Sequence, residues 1–463
     1  MLTQEDTIAA IATPIGIGGL SVVRLSGKDA IHICERIFRG QKPLSKMKGY
    51  TAQYGKIIDL QGNDIDEVVV TIFTSPHSYT TENMVEISCH GGMFITQQIL
   101  NAVLNAGARI AQPGEFTKRA FLNGRIDLAQ AEAIADLIQS SSELSHRASL
   151  LQLEGKLSLE IKKLKEMLID LCSILELELD FVEEGIEFQN REEVGRKINL
   201  VLNEVKKLID SYNVGKLYRE GIRVVIVGKP NVGKSSILNN LLNENRAIVT
   251  EIPGTTRDVI EENINLNGIL YKVVDTAGFR ETIDPIESEG VIRAKNQLKM
   301  ADLILIVLDH TQGFNNNDIE IIQLVKEYHN PRNIIYVINK TDISINKMVY
   351  EKIKEICNET ISISAKTGIG MKELKEKLVK IVTHGKVPLT SDGIIVINSR
   401  HKEGLLKAKH NLLNALKSYG NKMSNEFIVV DLRAAMDALG EILGEITSDE
   451  ILNNIFSKFC IGK

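Results

Sequence analysis

The chain has 463 residues, 43% of them hydrophobic and 25% charged, with no tryptophan; this is the make-up of a soluble globular protein, and its length calls for two to four domains rather than one core. A net charge of −5 excludes bulk electrostatics as the means of holding nucleic acid, so any RNA contact needs a local basic patch or a partner's surface. No run of about eighteen apolar residues is present to span a membrane, the N-terminal "MLTQEDTIAAIATP" lacks the basic and apolar blocks of a signal peptide, and the five cysteines (34, 89, 172, 357 and 460) form no Cys-x-x-Cys pair, so a cytoplasmic protein without disulfides or structural zinc is expected.

Residues 1 to about 120 read as mixed α/β, with strands at "LSVVRL", "EVVVTIF" and "MVEIS" and a helix near "MFITQQILNAVLNAG". "PIGIGG" at 14–19 is no dinucleotide fingerprint, because no helix-opening G-x-G-x-x-G follows, and "SCHGG" at 88–92 has no second ligand pair for a metal. From about 127 the pattern turns helical: "DLAQAEAIADLIQSS" opens with an Asp127-x-x-Gln130 capping box, and the run from Leu153 repeats apolar residues every three or four positions. "IRVVIVG" (222–228) then suits a buried parallel strand, as do "YKVVD", "LILIVLD" and "IIYVIN". After 385 the chain is helical again, and the simplest organisation is one helical domain split by an inserted α/β domain.

"GKPNVGKSS" (228–236) lies between a strand and a helix, as the G-x-x-x-x-G-K-S phosphate loop requires. Its backbone N–H groups and the helix N-terminus suit phosphate oxygens, Lys234 the β- and γ-phosphates, and Ser235 a Mg²⁺ ion. "DTAG" (275–278) ends the next strand, so that Asp275 can hold Mg²⁺ through water and the Gly278 N–H can face the γ-phosphate. "NKTD" (339–342) supplies Asp342, an acceptor-only carboxylate that matches the two donors on the guanine edge and rejects adenine, and "SAK" (364–366) has the place of the loop that backs the base. Together these motifs predict a GTPase.

Phe279 stands where Ras-type enzymes carry the glutamine that orients the attacking water. Glu281, Asp284, Glu287 and Glu289 are all near enough in sequence to replace it, and the residues alone do not choose among them. Arg257 and Arg280 read as ion-pairing residues rather than arginine fingers, while Thr256 in "TEIPGTTRD" is a second Mg²⁺ ligand candidate.

The set "GKPNVGKSS", "TEIPGTTRD", "DTAGFRE", "NKTD" and terminal "FCIGK", with "IAAIATPIGIGGLSVVRLSG", "SYTTENMVEISCHGG" and "PGEFTKRAFLNGRIDLAQAEAIADLI" before them, resembles the MnmE (TrmE) family of tRNA-modifying GTPases over essentially the whole chain. The resemblance implies a multidomain α/β plus all-α protein. An N-terminal α/β domain (1–122) would bind tetrahydrofolate and dimerise, a discontinuous helical domain would cover 123–218 and 385–463, and a Ras-like P-loop G domain would be inserted at 219–384. It implies a homodimer that joins an FAD-carrying flavoprotein, MnmG (GidA), in a heterotetramer or larger assembly. Together they would add an aminomethyl or carboxymethylaminomethyl group to C5 of the tRNA wobble uridine, drawing on a 5-formyl or methylene tetrahydrofolate.

By position, the resemblance assigns nucleotide binding to Asn231, Val232, Gly233, Lys234, Ser235 and Ser236; to Thr250, Glu251, Ile252, Pro253, Gly254, Thr255 and Thr256; to Asp275, Thr276, Ala277 and Gly278; and to Asn339, Lys340, Thr341, Asp342, Ser364, Ala365 and Lys366. A potassium ion falls on the Asn231 side chain and on oxygens of Thr250, Ile252 and Thr255, where a cation offsets charge developing between the phosphates without an arginine finger. Glu287 becomes the carboxylate that orients water through a bridging water, with hydrolysis switched on when two G domains meet. Folate falls on Arg24, Glu86, Arg125 and Lys463, and Cys460 becomes a participant in the chemistry. Taken alone, Arg24 and Glu86 are polar positions at strand ends, and Cys460 is a passive thiol.

A ribosome-associated switch GTPase is the main rival, and it predicts a basic RNA module such as a KH domain, which the sequence does not display. A membrane-remodelling GTPase predicts a spanning or lipid-inserting segment. The tail "CIGK" does not fit a prenylation box, and a Thr447-x-x-Glu450 capping box predicts a final helix that holds it.

Overall fold

The structure, a computed structural model, describes residues 6–180, 191–245, 261–275, 295–343, 347–357, 360–383 and 395–463. The chain divides into two compact units, one of Met1–Ala135, Gln152–Val201 and Lys407–Lys463, the other of Asp136–Leu151 and Leu202–Leu406.

The first unit carries a seven-stranded sheet of β1 (Ile8–Ile11), β2 (Leu20–Ser26), β3 (Phe38–Gly40), β4 (Thr51–Ile58), β5 (Asp64–Phe73), β6 (Met84–His90) and β7 (Arg109–Ile110), in the order β3-β4-β5-β6-β2-β1-β7. Its pairings are antiparallel except for β1 with β7. Side chains alternate across a strand, so Val23 and Leu25 of β2 enter the core with Val70 and Ile87, where Ile33, Ile37, Ile99 and Val103 of helices Ala30–Ile37 and Met93–Asn105 cover them. The alternation sends Arg24 to the other face, directly opposite Glu86 in the β2–β6 register.

Asp127 and Gln130 form the expected box: the Gln130 N–H donates to Asp127 Oδ1 at 2.9 Å, and the Asp127 N–H to Gln130 Oε1 at 3.1 Å, opening helix Leu128–Gln139. The last helix, Asp449–Phe456, corrects the expected cap by one residue: Ser448, not Thr447, is its N-cap and accepts from the Ile451 N–H. Thr447 Oγ1 is buried without a partner. Phe456 and Phe459 pack with Ala120, Ile126, Leu128 and Leu452. Burial of a phenylalanine contributes about 1.5–3 kcal/mol, enough for this pair to fix the tail.

The second unit holds a six-stranded sheet of β8 (Ile222–Val227), β9 (Glu261–Leu266), β10 (Ile269–Asp275), β11 (Leu303–Asp309), β12 (Ile334–Asn339) and β13 (Thr360–Ser362), ordered β13-β12-β11-β8-β10-β9 and parallel except for β9 with β10. Val224 and Ile226 of β8 feed one core, Val225 and Val227 the other; Leu305 and Ile306 divide in the same way. A strand buried on both faces must be apolar throughout, which is why these runs show no alternation. Among the described residues no helix is long and apolar enough to cross a membrane, and the five cysteines are unpaired, four of them buried and Cys460 exposed.

Candidate functional site

The ends of β8, β12 and β13 bring the phosphate and base motifs together. After Val227 the chain turns through Gly228 (φ 155°), Asn231 (φ 62°) and Gly233 (φ 98°) before helix Lys234–Asn245 begins. Glycine is required twice here: a Cβ on Gly228 would lie 2.4 Å from the Val307 carbonyl oxygen, and one on Gly233 would lie 2.2 Å from Asn339 Nδ2. The resulting cradle, bare of side chains at both turns and ending on a helix N-terminus, fits a phosphate chain. Lys234 is buried, and its Nζ donates to the carbonyls of Gly228 and Lys229, each at 2.8 Å. Val232 is fully buried, and Ser235 and Ser236 occupy the first turn of the helix.

Asn339, 2% exposed, ties the two loops: its Nδ2 donates to the Val232 carbonyl at 2.8 Å, and its Oδ1 accepts from the Ala365 N–H at 3.0 Å. Lys340 adopts a left-handed turn (φ 67°), and the Thr341 N–H donates to the Ile363 carbonyl. Asp342 Oδ1 accepts from Ser364 Oγ at 2.7 Å; this bond, and less so nearby Lys366, holds its carboxyl below the usual carboxylate range. Asp342 is therefore an ionised, acceptor-only group at neutral pH, the chemistry a guanine edge needs. Asn240 Nδ2 donates to the Ala365 carbonyl, bracing the same loop from the phosphate-side helix.

Asp275 ends β10 opposite Ile226, which sets its backbone beside the phosphate loop. The remaining nucleotide positions, Thr250, Glu251, Ile252, Pro253, Gly254, Thr255, Thr256, Thr276, Ala277 and Gly278, lie outside the described residues, as do Arg257, Phe279, Arg280, Glu281, Asp284, Glu287 and Glu289. Of the expected cation ligands, Ser235 and Asn231 are described, and both belong to the phosphate loop.

The second constellation belongs to the first unit. Arg24 Nε and Nη2 both reach Glu86 Oε1, at 2.9 and 2.7 Å, while Nη1 donates to the Gly462 carbonyl at 3.2 Å. The Arg24 guanidinium lies 5.6 Å from the Tyr79 ring centre and that of Arg125 lies 4.9 Å from it, with Arg125 Nη1 donating to the Tyr79 carbonyl. Tyr79 Oη is 2.8 Å from Thr117 Oγ1, and burial pushes its phenol up. The tail turns back at its end, the Lys463 N–H donating to the Cys460 carbonyl. Burial, and then the neighbouring Arg24, lower the Lys463 ammonium, with Glu86 and Cys460 acting the other way. Arg24 and Arg125 therefore flank the Tyr79 ring, Glu86 pairs with Arg24, and the tail that carries Cys460 and Lys463 reaches this cluster through the Gly462 carbonyl. The carboxylate, three cations and ring suit a planar, polar ligand with anionic and N–H groups.

Sequence reasoning missed Tyr79, Gly462 and two pairings behind the nucleotide loops, Lys229 with Asp318 and Lys340 with Asp309. Tyr79 stood within "SYTTENMVEIS" without a local signal; the glycine in "CIGK" was the signal for Gly462, whose φ is 94°.

Residues 128–460 match the family model of the MnmE helical domain, and residues 7–125 match that of the GTP-binding protein TrmE N-terminus. The chain is 45% identical over 463 residues to the tRNA modification GTPase MnmE of a Thermoanaerobacter species and 44% identical over 464 residues to that of Alkaliphilus metalliredigens, with 99% of each chain covered in both cases. Among solved structures it is similar to Aquifex aeolicus Era bound to GDP and aluminium fluoride, at 32% identity and a TM-score of 0.30, over 42% of this chain and 67% of that one. Two domain models and full-length identity of this order, on a chain that carries the phosphate loop, the base loops and the C-terminal cluster, lead to one conclusion: the chain belongs to the MnmE (TrmE) family.

Proposed function

We propose that this chain is a P-loop GTP hydrolase acting in tRNA modification, and that its hydrolysis depends on potassium and on the meeting of two G domains. The observation that carries the GTPase reading is Asn339 joining the Val232 carbonyl to the Ala365 N–H, which sets the phosphate cradle and Asp342 in one frame. Lys234 would turn to the β- and γ-phosphates, Ser235 would hold Mg²⁺ with Thr256, and Asn231 would hold potassium with Thr250, Ile252 and Thr255. A potassium ion there supplies positive charge to the developing transition state. Glu287 would orient the attacking water.

The Tyr79–Arg24–Glu86 cluster supports a tetrahydrofolate site. Glu86 suits the N–H donors of a pterin, while Arg24, Arg125 and Lys463 suit its carbonyl and carboxylate oxygens. The bound folate supplies a one-carbon unit. Gly462 on Arg24 supports a part for Cys460 beside it. The remaining parts of the reading are a homodimer, a flavoprotein partner of the MnmG (GidA) kind carrying FAD, a cytoplasmic location, and domain limits at 1–122, 123–218, 219–384 and 385–463. The product is tRNA carrying an aminomethyl or carboxymethylaminomethyl group at C5 of its wobble uridine.

The test is nucleoside mass spectrometry of tRNA from cells lacking the gene. Loss of the C5-modified wobble uridine, restored by the wild-type gene, is expected; unchanged levels would overturn the tRNA reading and leave the GTPase reading to stand on hydrolysis assays.

A further inference from the structure

Lys340 is held in a constrained conformation within the base-recognition loop. Its φ of 67° is a left-handed conformation that a lysine keeps only where its surroundings over-determine it. The constraint comes from the end of the neighbouring strand. Asp309 pairs with Asn339 in the β11–β12 register, and its Oδ2 lies 2.6 Å from Lys340 Nζ. Its other oxygen accepts from the Thr311 N–H at 2.8 Å and from Thr311 Oγ1 at 2.7 Å, which fixes the carboxylate before it meets the lysine.

The next residue, His310, has its imidazole wholly buried, with Nε2 at 3.1 Å from the Lys340 carbonyl. A carbonyl only accepts, so Nε2 carries the proton and donates. The other ring nitrogen, Nδ1, is buried and without a partner, so the bond to Lys340 is what the ring contributes. Lys340 is thus held at its side-chain tip by Asp309 and at its carbonyl by His310, and the Thr341 N–H is fixed by Ile363. Two residues beyond Lys340 stands Asp342. Burial pushes the Asp309 carboxyl up, but Lys340 and the two Thr311 bonds outweigh it and keep the group ionised.

We propose that Asp309 and His310 are positioning residues for guanine recognition, holding Lys340 in its left-handed turn and so fixing where Asp342 presents its carboxylate. This rests on the guanine-nucleotide reading above and deepens it. Neither residue touches the base; they act through Lys340. The bond they protect is the one from the exocyclic amino group of guanine to Asp342. Inosine diphosphate lacks that amino group, so the affinity ratio of GDP to IDP reports on the protected bond alone.

The experiment is calorimetric titration of the full chain, wild type and variants, with GDP and with IDP. Wild type should prefer GDP. Asp309→Asn, which keeps the shape but loses the charge that holds Nζ, should lower the GDP-to-IDP ratio by about tenfold, since hydrogen bonds to charged groups carry that much discrimination. His310→Leu should lower it similarly, whereas His310→Gln, which keeps an N–H donor, should stay within about twofold of wild type. Ratios unchanged in Asp309→Asn and His310→Leu would overturn the proposal. So would a parallel loss of GDP and IDP, which marks a merely structural role. If Asp309→Asn does not fold, the His310 pair decides. A wild-type chain with no preference for GDP overturns the guanine reading itself, and the proposal with it.

Discussion

Lys229 Nζ lies 2.7 Å from Asp318 Oδ2, with both side chains buried, and the carbonyl of the same Lys229 accepts a bond from Lys234. Lys229, whose carbonyl holds Lys234, is therefore locked from behind by the first turn of helix Asn316–Tyr328, where Asp318 also accepts from the Asn315 N–H. Removing one partner of a buried pair costs about 3–5 kcal/mol, because it strands the other charge. Lys229→Met should lower the unfolding temperature of the nucleotide-binding unit and weaken GTP binding, and Lys229→Met with Asp318→Asn should recover much of the loss. A calorimetric melt of the single variant that matches wild type would refute the clamp.

Gly462 has a φ of 94°, and a Cβ on it would lie 2.3 Å from the Ile11 carbonyl oxygen. Gly462→Ala should therefore push the tail off β1 and away from Arg24. The expected result is faster amide hydrogen exchange at 460–463 and about tenfold weaker binding of 5-formyl-tetrahydrofolate, with GTP hydrolysis retained. Wild-type exchange at those amides would count against the tail being held by this contact.

Glu115, nearly buried, is bonded by Arg109 and Arg119, which also hold Asp6. Burial pushes both carboxyls up, but the guanidinium bonds outweigh it and leave both below their usual range. A carboxyl depressed in the folded state stabilises above its unfolded pKa and loses that contribution as pH falls through the folded value. Melting temperatures of wild type and Glu115→Gln should thus differ most near pH 7 and converge in acid below the ordinary carboxylate range. A gap that widens in acid would reverse the sign of this linkage.

GTP turnover should be much faster in potassium than in sodium, and Asn231→Ala should abolish the difference. Glu287→Ala should bind GTP while losing most hydrolysis, about a hundredfold or more for a water-orienting group. Equal turnover in the two salts, or retained hydrolysis in Glu287→Ala, would remove the corresponding assignment.

Cys460→Ser should hydrolyse GTP at the wild-type rate and fail to restore modified uridine in cells lacking the gene. Full restoration would return the thiol to a passive part of the tail.

The sequence by itself determined whatever physics keeps local. A strand buried on both faces must be apolar on both, and the runs 224–227 and 303–308 inside "IRVVIVG" and "LILIVLD" are so written, with Arg223 and Asp309 only near their ends. The cradle needs Gly228 and Gly233 where a Cβ would strike Val307 or Asn339, so the motif announces itself within nine letters. Even the Asp127–Gln130 box was legible, because both partners lie within one helical turn. Three other strands were not: β1 is half alanine, β7 has two residues, and β4 exposes half its side chains, so each owes its existence to neighbours in the sheet. At the last helix, Thr447 and Ser448 offer nearly the same hydroxyl one position apart, and only the packing of Phe456 and Phe459 chose the phase. What tertiary structure alone decided are the contacts between distant residues: Arg24 with Gly462, 438 positions apart, Lys229 with Asp318, and Asp309 with Lys340. No period or spacing in a sequence encodes such pairs, because they form where strand ends and chain termini converge, and that convergence follows from the packing of whole sheets.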